Sequence, residues 1–89
     1  MSVRLTLLSR AYCHLCDEML EAVKPLAAAT GATVTVVDVD ADGALEAAYG
    51  DLVPVLFAGE PAEGREICRY RLDRASVDAV LAESRSTAD

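Results

Sequence analysis

Short apolar runs alternate with amphipathic stretches along this chain of 89 residues. Val3 to Leu8, with leucines at 5, 7 and 8, reads as a buried strand. From Cys16 to about Thr30 the apolar positions Met19, Leu20, Val23 and Leu26/Ala27 recur at helical spacing, while Asp17, Glu18, Glu21 and Lys24 take the opposite face. Gly31 ends that helix, and Pro25 within it predicts a kink or a split. Thr33 to Val39, dense in Val and Thr, is the second strand. Strand, helix and strand at this spacing predict a right-handed crossover between parallel strands.

The second half is shorter in rhythm. Asp40 to Gly43 forms a turn, and Asp42 caps a short helix over Ala44 to Tyr49 that Gly50 terminates. Pro54 to Phe57 is a third strand. Gly59, Pro61 and Gly64 mark a polar turn, and Arg65 to Tyr70 is a fourth strand, so the two pair as an antiparallel hairpin. Asp73 caps a last helix whose buried face is Val77, Val80 and Leu81, with Leu72 and Val77 as a hydrophobic staple. Residues 1–85 form a single domain, and the final stretch from Ser84, above all 86–89, reads as a flexible tail. The order βαβαββα predicts an α/β fold with a four-strand mixed sheet flanked by three helices.

Composition narrows the function classes. The 53% hydrophobic content is enough for a core at this length, and with no Trp that core is aliphatic. No apolar run approaches the roughly 20 residues of a membrane span. The first ten residues lack a signal-peptide pattern, so a cytoplasmic location is expected, with no membrane partner. The net charge of −7 arises wholly in residues 1–64, with three basic and ten acidic side chains, whereas 65–89 carry five of each. Such a chain is not expected to bind nucleic acid, which needs clustered Lys and Arg. The local group Arg65, Arg69, Arg71 and Arg74 is the one basic cluster.

Cys13-His14-Leu15-Cys16 carries the chemistry. A C-x-x-C between a strand and a helix, in a chain expected in a reducing compartment, points to thiol–disulfide exchange. Positions i and i+3 share a helix face, within reach of a disulfide. Cys13 falls at the helix N-terminus, where free N–H groups and the helix dipole favour a thiolate, so it is the expected nucleophile. Cys16, one turn further in, is the expected resolving thiol. His14, if charged, favours the thiolate, while Asp17 and Glu18 oppose it. A zinc site needs two further ligands, and only Cys68 and an ill-placed His14 remain, so no metal is expected. A c-type haem site would need a His where Asp17 stands. Asp38 to Gly43 imitates half a calcium loop, but Tyr49 holds the position that requires Glu. Cys68 reads as a small buried hydrophobe.

With these motifs in place, the sequence resembles the small glutaredoxin-like proteins of the thioredoxin-fold superfamily over nearly its whole length. The resemblance rests on Cys13-His14-Leu15-Cys16 and on Tyr49-Gly50-Asp51-Leu52-Val53-Pro54-Val55-Leu56-Phe57. It implies a thioredoxin-like fold, with Pro54 cis and facing the cysteines. It also implies that Val53 offers its backbone to an extended substrate. Arg10, three residues before Cys13, matches a basic position that helps hold a glutathione carboxylate, and Tyr12 either lines the site or covers the helix end. Arg69-Tyr70-Arg71-Leu72-Asp73 departs from the family, which has a glycine pair there, so Arg69 and Arg71 read as solvated, with replacement of part of the glutathione site as the alternative. The expected function is reduction of protein disulfides or glutathione mixed disulfides by a monomer with no bound cofactor. Glutathione or a reductase would supply the electrons. The alternative is a non-catalytic redox sensor or partner-binding module of the same fold.

Overall fold

The structure is a computed structural model that describes residues 3–87, with side chains through Glu83. Four strands and three α-helices follow in the order β1 (Arg4–Ser9), α1 (His14–Thr30), β2 (Thr33–Asp38), α2 (Gly43–Tyr49), β3 (Val55–Ala58), β4 (Glu66–Arg69) and α3 (Arg74–Thr87). The sheet order is β2-β1-β3-β4. β1 and β2 are parallel, in register from Arg4 with Thr33 to Ser9 with Asp38. β3 runs antiparallel to both neighbours, pairing Leu8 with Val55 and Val55 with Arg69.

Strand alternation divides the core into two layers. Leu5, Leu7 and Leu56 face α1 and α3, where they meet Met19, Val23, Val77 and Leu81. Leu8, Val55 and Phe57 point the other way, against Val39 and the partly buried Leu45, Tyr49 and Leu52. Thr6, the one buried polar residue among those described, donates its hydroxyl to the Gly59 carbonyl at 2.6 Å. Burial there leaves no unmade hydrogen bond.

Several elements differ from their sequence-based bounds. α1 starts at His14 rather than Cys16 and is not split at Pro25. Proline removes the N–H that the Glu21 carbonyl would accept. Glu21 and Pro25 are both exposed, so that carbonyl lies on the solvent side of the helix. Val39 leaves the strand and opens a 3₁₀ turn over Val39–Ala41, capped by Asp38. Its side chain is fully buried beside Leu8. Asp42 caps α2 as expected, accepting from the Ala44 and Leu45 N–H groups. Asp38 and Asp42 of the imitation calcium loop thus act as caps. Gly50 ends α2 with an ordinary φ of −52°. Glycine is needed there for another reason: a Cβ would stand 2.6 Å from the Glu46 carbonyl oxygen. Asp73 accepts from Ser76 N–H at the head of α3, and Leu72 and Val77 pack in the same cluster. The backbone of α3 continues to Thr87, and residues 88–89 of the expected tail lie outside the described residues.

Candidate active site

The site lies at one end of the sheet because three chain segments converge there. β1 runs toward it and delivers Ser9 to Cys13. The pairing of Leu8 with Val55 brings the start of β3, and with it Val53–Pro54, to the same end. The pairing of Val55 with Arg69 adds Tyr70 at the end of β4. Tyr70 N–H donates to the Pro54 carbonyl at 2.8 Å and ties the last two segments together.

Cys13 and Cys16 are joined in a disulfide, with their Cα atoms 5.2 Å apart. Cys13 is the N-cap of α1, extended at φ −99° and ψ 103°. Its Sγ accepts the Cys16 N–H at 3.1 Å. An N-cap atom receives a backbone donor that no carbonyl inside the helix can reach. Here sulfur takes the place usually held by a Ser or Asp oxygen. Cys13 is partly exposed, whereas Cys16 is 1% exposed and packed in the interior. The two sulfurs therefore differ in access although they are bonded. His14 and Glu18, one turn apart and both exposed, approach to 2.9 Å between Nε2 and Oε2.

Arg10 is turned toward the protein. Its Nη2 and Nε donate to the Asp40 carboxylate at 2.6 and 3.3 Å, and Nη1 donates to the Gly50 carbonyl at 2.7 Å. These bonds and the Asp40 charge raise the Arg10 pKa above its usual value. Arg10 thereby fastens the 3₁₀ turn and the end of α2 to the loop before Cys13. Two of its five N–H donors are left for other acceptors.

The Val53–Pro54 peptide bond is cis. Pro54 is buried, Val53 partly so. The Val53 N–H and C=O have no hydrogen-bond partner among the described residues. Tyr12 covers nothing: it has a φ of 61° and is fully exposed. Sequence reasoning passed over a groove of about 390 Å³ between α1 and the segment after β4, lined by Leu15, Glu18, Met19, Tyr70, Arg71 and Leu72 among others. No local signal marks it, since α1 supplies one wall and the segment after β4 the other. Among the described residues Arg71 has no ion pair, while Arg69 pairs with Glu66 and Arg74 with Asp78. Among the described residues no group of three or more His, Cys, Asp or Glu is placed to hold a metal ion.

Cys68 is set apart from this chemistry. Burial pushes its thiol pKa up, and it packs beneath the sheet opposite Leu56. A protonated, half-buried thiol is a poor nucleophile. In the reduced protein at neutral pH, Cys68 is expected to alkylate at least about tenfold more slowly than Cys13. Timed iodoacetamide labelling with peptide mass mapping measures both.

A CxxC disulfide opening the first helix of a βαβαββα domain defines a thioredoxin-fold protein with a redox-type cysteine pair. The chain belongs to the glutaredoxin-like domain family (DUF836), whose model matches residues 4–82. It is similar to a Nitrosomonas europaea protein known from a solution NMR structure, with 34% identity and a TM-score of 0.76, covering 89% of this chain and 91% of that one. An X. campestris protein solved by X-ray methods has 43% identity and a TM-score of 0.63, covering 89% and 96%. Thioredoxin 1 from Thermosipho africanus shares the fold at 17% identity and a TM-score of 0.65, over 96% of this chain and 97% of its own. No curated protein matches the chain. Among the described residues no helix is long and apolar enough to cross a membrane.

Proposed function

We propose that the protein is a thiol–disulfide oxidoreductase that reduces disulfides through Cys13 and Cys16. In the reduced form the Cys13 thiolate attacks one sulfur of a substrate disulfide. A mixed disulfide forms and the first substrate thiolate leaves. The Cys16 thiolate then attacks Cys13 Sγ, the mixed disulfide breaks, and the second substrate thiolate departs. The substrate gains two electrons and takes two protons from solvent, and Cys13–Cys16 is left oxidised. An external dithiol, two glutathione thiols or a reductase returns the electron pair. No bound cofactor enters, and the chain acts as a monomer in the cytoplasm.

The observation that carries this reading is the asymmetry of the pair. Cys13 is reachable and its sulfur faces the Cys16 N–H at 3.1 Å, a donor that favours negative charge on sulfur. Cys16 is buried and bonded to Cys13. The unpartnered Val53 backbone supports docking of an extended substrate beside the sulfurs. In this role Arg10 sets the position of the loop before Cys13.

With dithiothreitol as reductant, the wild-type protein is expected to reduce insulin disulfides catalytically, read as turbidity from the released chains. A disulfide that cycles with dithiothreitol while insulin reduction stays at the uncatalysed rate would overturn the enzymatic reading and leave a redox sensor.

A further inference from the structure

Of the four large apolar side chains exposed among the described residues, Tyr12 and Leu15 adjoin the cysteines in the chain and Tyr70 shares a groove with Leu15. Tyr12 is 106% exposed, Leu15 40% and Tyr70 44%, and the fourth, Val36, lies away on edge strand β2. Exposed apolar side chains gathered at one place mark contact surfaces, whereas scattered ones need no explanation.

The backbone adds an independent observation. Among the described residues Tyr12 and Tyr70 are the two non-glycine residues with positive φ, at 61° and 68°. Large L-residues disfavour that region, and such strain gathers at functional sites. At Tyr70 the Arg71 N–H bonds back to the Arg69 carbonyl at 2.8 Å. Bonding across one residue with φ near +70° is the rarer, strained form of γ-turn. Both tyrosines thus sit in costly conformations, one flanking each side of the Val53–Pro54 segment in sheet order β1-β3-β4.

Charge helps to name the occupant. Glutathione carries more carboxylates than ammonium groups. Arg10 is committed to Asp40 and Gly50, and Arg71, which has no ion pair among the described residues, shares the groove with Glu18. A polypeptide needs no cation for its backbone, and Val53 supplies the free N–H and C=O that an extended chain pairs with.

We infer that Tyr12, Leu15 and Tyr70 form an apolar clamp that selects protein disulfides whose cysteine has an apolar neighbour, in preference to glutathione disulfide. The inference rests on the oxidoreductase reading above and names its substrate class.

The test uses three probes with dithiothreitol as common reductant. They are a disulfide-linked peptide dimer with Leu after its cysteine, the same dimer with Ser there, and oxidised glutathione. For the wild type, kcat/KM is expected to favour the Leu probe over the Ser probe by about tenfold, with glutathione disulfide below both. In a Tyr12→Gly/Tyr70→Gly double variant the Leu-to-Ser ratio is expected to fall toward one. Glycine accepts positive φ without a steric penalty, so the thermal midpoint tests whether the fold is kept, and Tyr12→Asn/Tyr70→Asn serves as the second variant. A wild-type ratio near one, a ratio that persists in both folded variants, or faster reduction of glutathione disulfide than of the Leu probe would each overturn the clamp and leave the oxidoreductase standing. If the wild type reduces none of the three, the oxidoreductase reading falls and the clamp with it.

Discussion

Replacing Cys13 with serine is expected to lower disulfide reduction on the order of a thousandfold or more, to the uncatalysed rate. Cys16→Ser is expected to behave differently, accumulating a covalent adduct with a protein substrate. The contrast follows from position. Cys13 is partly exposed at the N-cap, so removing its sulfur removes the atom that meets substrate. Cys16 is buried one turn inside, so its removal leaves the first exchange possible and the release step without an attacking thiol. Intact-mass measurement under non-reducing conditions reads the adduct, and insulin turbidity reads the rate. Equal rates for wild type and Cys13→Ser would end the case for Cys13 as the attacking sulfur. An adduct that builds up on Cys16 in Cys13→Ser would reverse the roles.

Phe57→Ala is expected to cost about 3–5 kcal/mol, the usual range for truncating a buried phenylalanine. Phe57 is 1% exposed at the centre of the layer beneath α2. Its ring meets Tyr49 edge-on, with centroids 5.5 Å apart at 80°. A chain of 89 residues has a total stability of roughly 4–13 kcal/mol. The loss is therefore a large share of the whole, and the midpoint of thermal unfolding is expected to fall by roughly 15–30 °C. The effect reaches the site, because Phe57 lies in β3 two residues after Val55, which pairs with Leu8 and Arg69. Urea unfolding followed by circular dichroism measures the change. A loss below about 1 kcal/mol would mean that α2 and Leu45 close over the gap, which a well-packed core resists.

Much of the architecture was legible because its causes are local. Met19 and Val23 share a helix face, Leu5 and Leu7 share a strand face, and both pairs are buried in one cluster. Asp42 and Asp73 cap helices because a short carboxylate reaches the free N–H groups of a first turn. Pro25 shows the limit of that reasoning. Its effect depends on whether the orphaned carbonyl meets solvent, which composition does not reveal. Val39 shows it again: β-branched propensity argues for strand, but the Asp38 side chain accepts the Asp40 N–H and turns the chain there. Arg10 matched a binding position by its distance from Cys13, yet its bonds run to Asp40, thirty residues away, and to the Gly50 carbonyl, forty away.

The sequence alone determined the cysteine pair, its place at a helix start, the element order and the family resemblance. Each depends on residue type at short spacing, where backbone geometry leaves few choices. Only the tertiary structure decided where Arg10 spends its charge, and that Tyr12 and Tyr70 stand out with left-handed backbone. Those outcomes belong to segments far apart in the chain that β1, β3 and β4 bring to one sheet end, where the neighbours competing for each donor and each surface are set by packing.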